Sequence, residues 1–129
     1  AARSRFTDSL RRHSVSNPVL LGGDVHENWV GHVKADSRDP ASASVGVEFC
    51  GTSITSRPAG GARHAEWLEE NPHFVFADAR YRGYGIAEFT PRRLSAALRV
   101  IDDPASQVPS VSTLARFSVA AGRSVIERE

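Results

Sequence analysis

Three consecutive aliphatic residues, Val19-Leu20-Leu21, stand between two breakers, Asn17-Pro18 and Gly22-Gly23. An apolar run this short, continuous rather than alternating, predicts a strand buried on both faces, with a turn at each end. Asp24 and His26 follow at once, one valine apart. In open α/β sheets the chemistry sits where a buried strand ends, because the loop is exposed and its anchor rigid. Asp24 and His26 would share one face of an extended segment; in a turn they would converge on one point. Carboxylate oxygen together with imidazole nitrogen suits divalent or trivalent metals. The same two residues also suit a turn aspartate beside a hydrogen-bonded histidine, and local sequence leaves both readings open.

The remaining chain falls into order around that run. Ala1 to Ser14 predicts a helix with Phe6 and Leu10 on its apolar face and Arg11, Arg12 and His13 near its end. Trp29 to Val33 extends a second strand or a turn, and Asp36 to Ser44, with Pro40, is a surface loop. Val45, Val47 and Phe49 alternate along one face of a strand ending at Cys50, with Gly51 to Ser56 as a hydroxyl-rich turn. Glu48, on the opposite face, is either a ligand or an exposed acid. Cys50 reads as a small buried hydrophobe. Arg57 to Arg63 is a connection, tolerant of length change or a lid. Ala65 to Glu70 is a short helix stopped by Asn71-Pro72. Strands are then expected at Phe74 to Phe76, Tyr84 to Phe89, Leu94 to Ile101 and Thr113 to Val119, before Gly122 and a charged tail. One connected core is expected from Phe6, Leu20, Val47, Phe49, Phe76, Ile86, Leu98 and Phe117.

Composition narrows the partners. The chain has 129 residues and formal net charge +1, so nothing draws it globally to nucleic acid or membrane. One cysteine excludes an internal disulfide and a cysteine-based zinc motif. No apolar run approaches a membrane span. The chain opens on Ala and contains no methionine, which points to a processed chain or a piece of a longer one.

At four places the sequence resembles the alkaline phosphatase D (PhoD-like) metallophosphatases. These are Asn17 to His26 with Trp29; Val47-Glu48-Phe49-Cys50-Gly51-Thr52-Ser53-Ile54; Asn71-Pro72-His73 with Phe76 to Tyr84; and Leu98 to Asp102 with Thr113 to Phe117. The resemblance covers nearly the whole chain, in order. It implies a calcineurin-like α/β fold, two β-sheets flanked by helices, β-rich after the first helix, with residues 1–129 as the C-terminal portion of that domain. It implies metal-dependent hydrolysis of phosphate mono- or diesters, with iron and calcium the ions of the best-known member type. Asp24 and His26 match the family's late metal-site motif, His26 either as ligand or as proton donor to the leaving oxygen. The family's earlier ligand motifs have no counterpart here, so the rest of the site is expected from a missing N-terminal part or a partner chain, and this chain alone is expected to be inactive. Arg80 and Arg82 are candidates to grip a phosphate ester, against the alternative of surface pairing with Asp78 or Glu88. The resemblance further suggests an extracytoplasmic location. The competing reading is a non-catalytic β-rich binding module whose edge strands pair with a partner. Hydrolysis through Cys50 and His26 lacks any accompanying oxyanion signature.

Overall fold

A computed structural model describes residues 2–57 and 64–129. Its β-rich fold comprises two helices and two four-stranded sheets. The order is α1 (Ala2–Arg12), β1 (Val19–Gly22), β2 (Asn28–Lys34), β3 (Ser44–Cys50), α2 (His64–Glu70), β4 (Phe74–Asp78), β5 (Arg82–Phe89), β6 (Arg93–Ile101), β7 (Val111–Ala120) and β8 (Glu127–Arg128). Of the expected connection from Arg57 to Arg63, all but Arg57 lies outside the described residues.

The first sheet has the order β1-β3-β2-β4. Its β1 runs parallel to β3, Val19 opposite Val47 and Gly22 opposite Cys50, while the other pairs are antiparallel. The second is an antiparallel meander, β5-β6-β7-β8, in chain order. At its start the β5 and β6 backbones approach so closely that any Cβ on Gly83 would collide with the Arg99 carbonyl.

The core lies between the sheets. Val30, Val47 and Phe49 from the first meet Leu94, Ala96, Leu98, Ala115, Phe117 and Val119 from the second. Phe117 is fully buried and takes Phe49 and Phe76 against its ring, with centroids 6.2 and 5.6 Å apart. Of the expected core, Val47, Phe49, Leu98 and Phe117 belong to this cluster, and Phe76 packs against it.

Four expectations need correction. The β1 run is not buried on both faces: Val19 and Leu20 are half-buried and Leu21 is 63% exposed, because β1 is an edge strand paired only with β3 among the described residues. Phe6 is exposed, since α1 turns Thr7 inward, where its hydroxyl meets the Ala35 carbonyl at 3.1 Å. Ile86 is half exposed because β5 is the other sheet's edge. The charged tail forms β8, with Arg128 opposite Phe117; its alternation is too short to show in sequence.

Candidate metal-site loop

The chain leaves β1 at Gly22 and turns sharply. The Val25 amide donates to the Gly23 carbonyl at 2.9 Å, and both Asp24 (φ 75°) and His26 (φ 59°) lie in the left-handed region. Non-glycine residues there are uncommon, and such strain gathers at sites where the surrounding structure holds it. The segment is therefore a turn, not an extended continuation of β1. Asp24 projects into solvent, and His26 is half-buried.

Three groups hold the loop. The His26 ring Nδ1 lies 2.8 Å from the Arg57 carbonyl. A carbonyl only accepts, so Nδ1 carries a proton, and in the neutral form of the ring the lone pair is on Nε2. The His26 carbonyl accepts from the Thr52 hydroxyl at 3.0 Å and from the Arg82 guanidinium at 2.8 Å. Asn28, fully buried, accepts the Thr52 amide on Oδ1 at 3.1 Å, while its Nδ2 has no partner among the described residues.

Arg82 and Arg80 stand in different environments. Arg82 is 6% exposed, and its guanidinium reaches the carbonyls of His26, Ser56 and Ala79 and the Ser53 hydroxyl, all within 2.9 Å. It ties the loop after β1 to the turn after β3 and the start of β5. Arg80 pairs with Asp78 at 2.6 Å, lies over the Tyr81 ring and leaves 72% of its side chain in solvent.

Beside the loop opens a cavity of about 530 Å³, lined among others by Trp29, Trp67 and Phe74 and by Glu27, Glu48 and Cys50. Glu27, 3% exposed, accepts from the Trp29 indole at 3.0 Å and pairs with His64 at 2.9 Å. Burial first, then the charges of Glu48, Glu27 and Asp24, push the Cys50 thiol up, which favours the protonated, poorly nucleophilic form. Sequence reasoning singled out neither Glu27 nor Asn28. An acid and an amide directly after a histidine carry no spacing signal; their roles depend on α2 and the turn after β3.

Among the described residues no group of three or more His, Cys, Asp or Glu is placed to hold a metal ion. As donors, though, Asp24 and His26 fit part of one: a solvent-facing hard oxygen, and an imidazole whose second nitrogen is anchored on a backbone carbonyl, the arrangement typical of metal-bound histidine. No helix among the described residues is long and apolar enough to cross a membrane.

Known proteins share this chain's sequence and fold. A family model described as PhoD-like phosphatase matches residues 1–98. Alkaline phosphatase D of Bacillus subtilis (strain 168) is 36% identical over 120 residues, covering 91% of this chain and 20% of that protein. A solved structure titled "Structure of PhoD" superposes with a TM-score of 0.87 at 32% identity, over 97% of this chain and 24% of that one. The chain thus spans about a fifth to a quarter of the length of these relatives, which fits the expected C-terminal part of such an enzyme. With the family match extending over most of its length, the chain belongs to the PhoD-like phosphatases.

Proposed function

We propose that this chain is the C-terminal portion of a calcineurin-like metallophosphatase and supplies Asp24 and His26 to its metal centre, for hydrolysis of phosphate mono- or diesters. The carrying observation is the His26 ring, whose Nδ1–H is anchored on the Arg57 carbonyl so that the neutral form of the ring has its lone pair on Nε2. Asp24, two residues earlier in the same turn, offers an exposed hard oxygen. Metal ions, iron and calcium by family resemblance, would when held there supply charge neutralisation on the phosphoryl oxygens and an acidified water.

The chain's other residues act on position. Arg82 and Thr52 fix the His26 carbonyl, so the ring stands on a rigid support although its loop is exposed. With its guanidinium occupied by backbone, Arg82 serves the site through His26, and Arg80 is the arginine proposed to meet a phosphate ester, its exposed head held by Asp78. Should His26 instead stay outside the coordination sphere, its ring, having taken a proton from solvent on Nε2, would donate that proton to the leaving oxygen. The remaining ligands come from outside this chain, and an extracytoplasmic location goes with the family reading.

The test is hydrolysis of p-nitrophenyl phosphate and its bis ester, with iron, calcium, manganese or zinc added. This chain alone is expected to show no metal-dependent turnover. In a polypeptide of the family's full length, Asp24→Ala and His26→Ala are each expected to lower both metal content and rate by about 10–100-fold or more. Wild-type metal content and rate in both variants would overturn the proposal.

A further inference from the structure

We propose that the cavity beside the loop binds a small free organic cation of the quaternary ammonium class. This 530 Å³ space is lined both by the aromatic side chains Trp29, Trp67 and Phe74 and by the acidic residues Glu27 and Glu48. The two acids differ. Glu27 is already engaged by His64 and the Trp29 indole. Glu48 is half-buried and has no hydrogen-bond or ion-pair partner among the described residues. Among the described residues, neither arginine nor lysine lines it. A mostly apolar cavity with an unbalanced carboxylate favours a cation that sheds its hydration cheaply and presents methyl groups to aromatic faces, which is what quaternary ammonium ligands do. A primary ammonium would need several acceptors to replace its water, and Glu48 supplies one carboxylate. The aromatic rings keep their places through contacts with one another: Trp29 lies 5.0 Å from Phe74 and 6.0 Å from Trp67, centroid to centroid. The cation therefore lies against their cavity-facing sides rather than between them. This inference stands apart from the hydrolytic reading and is read by binding alone.

Trp29 and Trp67 are the chain's two tryptophans, so intrinsic fluorescence reports directly on this cavity. Titrating choline into the chain is expected to give a saturable change, and its uncharged carbon isostere dimethylbutanol none at equal concentration. Glu48→Gln, a change of charge without bulk, is expected to weaken choline binding about fivefold, the size of one partly exposed charge pair. Equal responses to choline and the isostere would overturn the cation assignment, as would the absence of any saturable response. Capture by phosphatidylcholine vesicles without a response to free choline would place the ammonium in a membrane and overturn the free-ligand form. Fluorescence that shifts with protein concentration alone would show a second copy covering the walls, and would also overturn it.

Discussion

The two sheets have equal strand numbers and opposite characters. The meander β5 to β8 joins each strand to the next, carries none of the candidate metal ligands, and contributes most of the buried core. The sheet β1-β3-β2-β4 reorders its strands, mixes parallel and antiparallel pairs, and carries Asp24 and His26 at the end of its edge strand. Among the described residues, three of the four non-glycine residues with positive φ, namely Asn17, Asp24 and His26, flank β1, and the fourth, Ser14, precedes it. One sheet is a platform; the other holds the strained loop. The difference teaches that the site's precision comes from cross-links between the sheets rather than from the strand that carries it.

The comparison can be broken at its shared core. Phe117→Ala removes the ring against which Phe49 and Phe76 rest, and is expected to cost about 3–5 kcal/mol in urea unfolding. A loss below about 1 kcal/mol would show that the sheets do not depend on each other. Next comes the clamp between them. Arg82→Leu leaves three carbonyls and a hydroxyl without their cationic donor, and is expected to cost about 2–4 kcal/mol. It should also loosen His26, seen as a broadened ring resonance by NMR. An unchanged resonance would separate the loop from the clamp.

A smaller effect is expected at Asn17, whose amide group donates to the Ala120 and Arg123 carbonyls and accepts the Gly122 amide, tying the start of β1 to the end of β7. Asn17→Ala should cost about 1–2 kcal/mol, part of it from the left-handed φ of 49°. The smallest effect is a pH slope. Burial first, then Lys34, holds His32 below its ordinary value of 6.5, with a backbone hydrogen bond to His73 opposing. Burial, then Arg3, Lys34 and His32, lowers His73 in the same direction. In that window the unfolded chain binds more protons, so stability rises with pH and is fully present above the unfolded value. Thermal midpoints should therefore fall as pH drops below about 6.5, and His32→Gln should flatten the fall. Gln retains an acceptor for the Ile126 amide, which His32 Nε2 receives at 3.2 Å. An unaltered slope would mean that His32 does not titrate differently in the folded protein.

What was legible in the sequence follows the same division. The alternation from Tyr84 to Val119 marked three meander strands, since each pairs with its neighbour in chain order and needs no distant information. Val45, Val47 and Phe49 marked β3 for the same local reason. The exposure of Leu21 and Ile86 was not legible, because an apolar residue at a sheet edge has the same letter as one at its centre. Nor was Phe6, where a threonine with a backbone partner took the inward position. Asp24 and His26 were recognisable as a motif. The Arg57 carbonyl that orients the ring, and the buried Arg82 that holds its backbone, are separated from it by 31 and 56 residues. No local pattern connects them.

The meander also has a consequence in time. Its strands meet across short links such as Thr90 to Arg92, so their ladders close with little loss of chain entropy. Pairing β1 with β3, by contrast, must wait for the whole of β2 and the loop beyond it to be gathered in. Folding is accordingly expected to begin in β5 to β7, with the first sheet condensing onto that surface afterwards. Pulse-labelled hydrogen exchange should then find the amides of Leu98 and Phe117 protected before those of Val47 and Gly51. On that schedule the strand end bearing Asp24 and His26 is the last part of the chain to acquire its shape, and the first to lose it when the molecule opens.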